Sequence, residues 1–249
     1  MKISITKCNH WARLALQGED QAPISFDGDG LKALLGALDQ LAAWPDLRCL
    51  VIESAACAGA LLSGLSQAAV DDVRAHAKLF LAVLQTLHDF RTPVIFWARG
   101  PQQGGALGVV AACDIVLGDK TSAFSLPEAT AAMAPILISP WLIRRIGAAQ
   151  FRRLALSAAV LDPEAALSIG LIDEIYEGPG FPPAYARILR SSPLSAKKIK
   201  KLSQFTPSSS LVEEFVNFVC KPAIQADLAL LAAGQSPEWR KKKEHGAHS

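Results

Sequence analysis

Apolar and polar residues alternate along Ile3–Thr6 and again along Ala12–Leu16, with Cys8-Asn9-His10 between them. Period-two alternation sends successive side chains to opposite faces, so the two runs predict a hairpin. Gly18–Gly30 is polar and turn-rich. From Leu31 to Ala43 the apolar residues recur at the spacing of one helix face, and Pro45-Asp46 ends that helix. Arg48–Glu53, Val94–Ala98 and Asp114–Leu117 are short, nearly unbroken apolar runs, which suit strands buried on both faces. Ser54–Gln67, rich in Ala, Gly and Ser, predicts a loop. Val70–Phe90 predicts a helix broken by Arg91-Thr92-Pro93, and Gly104-Gly105 opens another that runs through Ala112.

Strand, helix, strand, helix, strand in this order predicts an α/β fold with parallel strands covered by helices. After Ala148 the pattern turns helical, over Gln150–Ala158, Pro163–Ile169, Pro183–Leu189, Ala196–Ser203, Leu211–Lys221 and Ala223–Ala233. Ser191-Ser192-Pro193 interrupts these helices, so a core over 1–190 and a helical region over 191–249 are expected. The polar tail Arg240–Ser249 is expected to fray.

Composition narrows the function classes. The 249 residues are 51% hydrophobic and 19% charged, too apolar for a disordered chain. The longest apolar stretches, Leu79–Leu84 and Leu228–Ala233, fall far short of the roughly 20 residues that cross a bilayer. A net charge of +2 argues against nucleic acid as the main partner. Met1–Asn9 has no long apolar run, so no secretory signal is expected. Cys8, Cys49, Cys57, Cys113 and Cys220 are scattered and form no C-x-x-C pair, which suits reduced thiols in the cytoplasm. Cys8 and His10 lack the further ligands that a metal site needs, so no metal is expected. Cys113 reads as a core residue.

Two segments could carry chemistry. Arg99–Gly108 (RGPQQGGALG) lies between a strand and a helix, where glycines allow close backbone approach and a helix N-terminus offers free N–H groups to negative charge. Tight packing would use the same glycines. The run is not G-x-G-x-x-G, so a dinucleotide site is disfavoured. Ala123–Glu128 (AFSLPE) ends in a Glu after Pro, which is either a surface turn residue or an inward-facing acid or base. Local sequence alone favours the surface.

Taken together these segments resemble the crotonase, or enoyl-CoA hydratase/isomerase, superfamily. The resemblance runs through Thr92-Pro93-Val94-Ile95, Arg99-Gly100, Gly104-Gly105, Ala112-Cys113-Asp114-Ile115, Phe124, Pro127-Glu128 and Pro135, and on through Leu142–Gly147, Ala165-Ala166 and Gly170–Glu174. It implies repeated ββα units in a spiral core, followed by a C-terminal helical region for trimerisation and pocket closure. It also implies an acyl thioester substrate whose enolate oxygen sits between two backbone N–H groups. Those donors fall at Leu65, within Leu62–Ser66, and at Gly105, with Gly104 and Gly108 beside the substrate. Any residue type can donate its N–H, so Leu65 is no obstacle.

Hydratases of this superfamily use two glutamates. Here one position holds Glu128 and the other Gly108, so two-carboxylate water addition is not expected. Gly105–Ile115, Ser122–Glu128 and Ile138–Gly147 look like the dehydratases of polyketide β-branching cassettes, which also carry glycine at the first position. That resemblance implies loss of water from a 3-hydroxy-3-methylglutaryl group on acyl carrier protein, with Glu128 as base and acid. A Δ3,Δ2-enoyl thioester isomerase, a methylglutaconyl decarboxylase and a non-catalytic scaffold remain alternatives. Arg74, His76 and Lys78, on the helix after the oxyanion loop, are candidates for the substrate's distal carboxylate. Arg74 and Lys78 are four apart and share a face. Arg99 is expected to pack or to pair with Asp114. No cofactor is expected beyond the phosphopantetheine of the carrier protein or CoA. Lys197–Lys201 and Arg240–Lys243 are solvated faces or attract a phosphate-bearing or acidic partner. The helices around Phe215, Phe218, Leu228 and Leu231 suit a homotrimer or dimer of trimers, or an internal core.

Overall fold

The computed structural model describes residues 1–58, 70–131, 134–178 and 180–202, and beyond these only 222–223, 226, 230 and 235. In chain order it contains β1 (Lys2–Cys8), β2 (Trp11–Gln17), α1 (Gly28–Ala42), β3 (Cys49–Ser54), α2 (Val70–Asp89), β4 (Val94–Ala98), β5 (Pro101–Gln103), α3 (Gly105–Ala112), β6 (Ile115–Gly118) and β7 (Ala123–Ser125). A 3-10 turn over Pro127–Ala131 follows, then α4 (Ser139–Ser157), α5 (Pro163–Ser168), β8 (Glu174–Ile175), a 3-10 stretch over Pro183–Arg190 and α6 (Pro193–Leu202). The chain divides into two units, Met1–Pro183 and Ala184–Ser249. No helix among the described residues is long and apolar enough to cross a membrane.

The hairpin expected from the alternating runs is the edge of the main sheet. β1 and β2 pair antiparallel from Lys2 opposite Gln17 to Cys8 opposite Trp11. Asn9 turns the chain at φ 46°, a left-handed conformation that Asn tolerates. The sheet continues in the order β2, β3, β4, β6, β8, all in parallel. Alternate residues of these strands (Leu14 and Leu16, Leu50 and Ile52, Val94 and Phe96) bury against Leu34, Leu38 and Leu41 of α1 and Phe80, Leu84 and Leu87 of α2. Asp27 starts α1 by accepting the Gly30 N–H at 2.7 Å, an N-cap that satisfies an orphan donor. All eight residues of α3 are buried, Cys113 follows it into the core, and α3 packs between α2 and α4.

A smaller second sheet carries the chain past the main one. β5 and β7 pair in parallel, Pro101 opposite Ala123 through Gln103 opposite Ser125. Single bridges extend the ladder, Ile24 to Cys57, Cys57 to Gln102, and Phe124 to Leu161. The Gln102 side chain is fully buried, donating through Nε2 to the Ala55 and Gly100 carbonyls at 2.9 and 3.2 Å and accepting from Ser54 Oγ at 3.4 Å. It fastens the end of β3 to the segment leading into the glycine pair.

Several elements differ from the sequence expectation. Cys57 lies in the expected loop yet joins the second sheet, and β5, β7 and β8 are two or three residues long, too short to show periodicity. The helix expected from Gln150 begins at Ser139, with Pro140 in its first turn and Gly147 (φ 76°, ψ 157°) joining two helical segments. Pro183–Arg190 is 3-10 rather than α-helical. The expected helices Leu211–Lys221 and Ala223–Ala233 and the tail Arg240–Ser249 lie outside the described residues or touch them at isolated positions only.

Candidate active site

The glycine loop leaves β4 with a close backbone approach. Gly100 has φ 105°, and a Cβ there would lie 3.4 Å from the Ala56 amide nitrogen. At the end of β5, Gly104 adopts φ 53° and ψ −123°, a conformation that L side chains avoid. Its N–H donates to the Ser125 carbonyl at 3.0 Å, so it is spent on the second sheet. The next N–H, that of Gly105, begins α3 and has no acceptor within the helix. Of the two glycines, Gly105 is therefore the one whose geometry leaves a donor at the positive end of a helix dipole. Leu65, with all of Leu62–Ser66, lies outside the described residues.

β7 ends at Ser125, and Leu126, fully buried, carries the chain inward to Pro127 and Glu128. Glu128 is 8% exposed, so of its two local readings the inward-facing group stands and the surface turn, which local sequence favours, does not. Its Oε2 is buried without a hydrogen-bond partner among the described residues. Burial pushes the carboxyl above the ordinary glutamate range, partly offset by a hydrogen bond from its own backbone. A carboxylate in this state is a stronger base than one in water.

The position expected to hold a second glutamate in hydratases is closed by packing. A Cβ on Gly108 would lie 2.3 Å from Ile138 Cγ2 and 3.4 Å from Leu84 Cδ1. Leu84 is fully buried and Ile138 is 2% exposed. Gly108 is thus required by close approach of α2, α3 and the start of α4.

The three candidates on α2 separate. Arg74 is exposed and pairs with Asp71, and Lys78 is exposed. His76 is half-buried, with Nε2 buried and unpartnered among the described residues. Its spacing of four and eight puts it on the helix face of Phe80 and Leu84, the face that reaches Gly108. Arg99 does not pair with Asp114. It lies over the Trp97 ring at 4.6 Å and pairs with Glu53 at 3.3 Å and Asp119 at 3.6 Å, while Asp114 Oδ2 accepts the Val94 N–H at 2.7 Å. The β4–β6 register places Asp114 beside Val94 at the start of β4, whereas Arg99 follows the end of that strand, so a strand's length separates them. Ile138 was not foreseen as part of this region. Its local sequence reads as ordinary core, and only its meeting with Gly108 reveals it.

A mainly parallel sheet and a short second sheet that leads on one strand to a glycine-opened helix and on the other to a buried glutamate define a crotonase-fold protein. Residues 24–210 match the enoyl-CoA hydratase/isomerase family, and the chain belongs to that family. It is 34% identical over 110 residues to the bacillaene synthase dehydratase PksH of Bacillus subtilis, covering 44% of this chain and 42% of PksH. It is 30% identical over 152 residues to the mitochondrial methylglutaconyl-CoA hydratase of Homo sapiens, covering 59% of this chain and 45% of that protein. The chain thus spans under half the length of each of these relatives. Its fold superposes on an enoyl-CoA hydratase of Shewanella pealeana with a TM-score of 0.86 at 22% identity, over 95% of both chains. PksH and the human protein are both named as lyases, one a dehydratase and the other a hydratase of a CoA thioester, and the family is named for enoyl-CoA hydratases and isomerases.

Proposed function

We propose that this enzyme removes water from 3-hydroxy-3-methylglutaryl-acyl carrier protein to give 3-methylglutaconyl-acyl carrier protein. The observation that carries the reading is the pairing of one buried, unpartnered carboxylate, Glu128, with a Gly108 position packed shut by Ile138. One base is available where a hydratase of the usual pattern has two. The likeness to a synthase dehydratase and to a hydratase of the methylglutaconyl thioester supports the acyl group.

The Glu128 carboxylate takes the C2 proton, and the electron pair moves onto the thioester oxygen. The N–H of Gly105, with that of Leu65, stabilises this enolate. Collapse of the enolate forms the C2–C3 double bond and expels the C3 hydroxyl. The proton on Glu128 goes to that departing hydroxyl, so water leaves and the carboxylate is restored. A tertiary alcohol leaves more readily than a secondary one, which lessens the need for a second acid. His76 Nε2, desolvated and unpartnered, faces the distal carboxylate, and Arg74 and Lys78 lie on the solvent side. The lysines Lys197, Lys198, Lys200 and Lys201 of α6 speed encounter with an acidic carrier protein. The reaction draws on the phosphopantetheine-borne thioester and no further cofactor, and the working form is a homotrimer or a dimer of trimers in the cytoplasm.

Intact-mass measurement on 3-hydroxy-3-methylglutaryl carrier protein tests the reading. Loss of one water supports it. No mass change would overturn it in favour of an isomerase or a silent scaffold, and carbon dioxide loss from methylglutaconyl carrier protein would overturn it in favour of a decarboxylase.

A further inference from the structure

The two sheets are joined where neighbouring segments cross from one to the other. In the main sheet the last pair is Ser54 opposite Ala98, and in the second sheet pairing resumes with Cys57 opposite Gln102. Three residues separate these points on one segment and four on the other, so the ladder cannot run on unbroken. Gly100, at φ 105°, lies in the longer segment. Backbone bonds hold the two sides of the gap, Arg99 N–H to the Ser54 carbonyl at 2.8 Å and Cys57 N–H to the Pro101 carbonyl at 2.8 Å. Within the gap a side chain supplies the rungs. Gln102 Nε2 donates to the Ala55 carbonyl on one segment and to the Gly100 carbonyl on the other, at 2.9 and 3.2 Å.

Burying an amide is costly unless its hydrogen bonds are made, and an apolar side chain would fill a buried strand position without that cost. Gln102 is 0% exposed, so it meets no ligand that enters from solvent. Its amide instead locks the start of β5 to the end of β3. Three residues past Gln102 stands the N–H of Gly105, and three residues past Ser125, which pairs with Gln103, stands Glu128. A movement of β5 at the crossing is therefore passed along the backbone to the helix N-terminus.

We propose that Gln102 is a positioning residue of the enolate site: its side-chain amide fixes where β5 leaves β3, and so fixes the Gly105 N–H at the place where the thioester oxygen is held. The proposal rests on the reading of Gly105 as an enolate donor. Gln102 touches no reacting atom and acts through the backbone alone. A displacement of about 1 Å in such a site costs on the order of 10²-fold in rate.

The test follows the thioester carbonyl by infrared spectroscopy on the full chain. The probe is 3-methylglutaryl carrier protein, with and without a carbon-isotope label at the thioester carbonyl; it has no C3 hydroxyl and cannot lose water. A hydrogen bond to a carbonyl oxygen lowers its stretching frequency, so binding to the wild type should lower that of the probe. Gln102→Met, similar in shape but without the amide, should lose most of the shift, and its kcat for dehydration should fall on the order of 10²-fold with KM little changed. Ser54→Ala, which leaves both Nε2 bonds in place, should keep the shift. Gln102→Asn, one methylene shorter, should also lose it and serves if the Met variant fails to fold. An undiminished shift in the Met or Asn variant would overturn the proposal and leave the enolate reading standing. No shift in the wild type would overturn both. A shift that is lost with the Gln102 amide, in an enzyme that leaves 3-hydroxy-3-methylglutaryl carrier protein unchanged, would uphold the role of Gln102 and count against the dehydratase reading alone.

Discussion

The backbone N–H of Gly104 donates to the carbonyl of Ser125 across 3.0 Å. This one bond closes the β5–β7 ladder at the point where both strands end. One residue beyond Gly104 the N–H of Gly105 opens α3, and three residues beyond Ser125 stands Glu128. The candidate enolate donor and the candidate base therefore hang from the same strand pair. Their spacing is set by backbone pairing rather than by a flexible side-chain contact, which suits a site that must be organised before the substrate arrives.

Gly104→Ala tests that arrangement. The backbone at φ 53° and ψ −123° is strained for any L side chain, by roughly 1–3 kcal/mol. The new residue would relax the turn and swing the Gly105 N–H away. A loss of about 10²–10³ in kcat is expected, with a lowered melting temperature. Steady-state kinetics beside thermal denaturation would check both.

Gly108→Ala should destabilise the fold by about 1–3 kcal/mol, because its Cβ would enter the space held by Ile138 Cγ2. Ile138→Ala, harmful alone through the cavity it leaves, should offset much of that cost when combined with it. A double-mutant cycle by urea unfolding measures the coupling. Additive single effects would show that the two residues do not meet.

Burial holds the Glu128 carboxyl above the ordinary range. An acid whose folded value is raised costs stability as pH climbs from the ordinary glutamate value to the folded one, and the cost is constant above that. Glu128→Gln should therefore melt at a higher temperature than wild type at neutral pH, with the gap shrinking in acid. Turnover needs the ionised form, so the acid limb of the kcat/KM profile should lie above the ordinary glutamate value. Scanning calorimetry at two pH values and a rate profile would check the two signs.

His76→Ala should raise KM for a substrate with a distal carboxylate by about tenfold or more and leave an ester-capped analogue almost unaffected. Arg74→Ala, at an exposed residue already paired with Asp71, should change little. The comparison of KM for the two analogues in each variant measures which residue faces the carboxylate.

Much of the main sheet could be read from the chain because its strands are long enough to show their pattern. The alternation of Ile3–Thr6 and Ala12–Leu16 and the apolar run Val94–Ala98 became β1, β2 and β4. β5, β7 and β8 could not be read, since two or three residues carry no period and pair only through tertiary contact. The site divided along the same line. Gly104, Gly105 and Glu128 draw notice locally, through paired glycines before a helix and a Glu after Pro, but their roles come from the family resemblance, since local sequence leaves the glycines open to packing and favours the surface for Glu128. The burial of Glu128, the exposure of Arg74 and the closing of Gly108 by Ile138 depend on residues far apart in sequence, so they became visible only in the fold. Arg99 shows the same limit, as its partners Glu53 and Asp119 come from separate segments.

The central claim is that Glu128 alone moves the proton during dehydration, and it is tested most directly by following water loss from 3-hydroxy-3-methylglutaryl carrier protein by intact mass, with wild type and Glu128→Gln side by side. The wild type should convert the substrate to a product lighter by one water, and the variant should do so about 10²–10⁴ times more slowly. A Glu128→Gln enzyme that dehydrated the substrate at the wild-type rate would contradict the account.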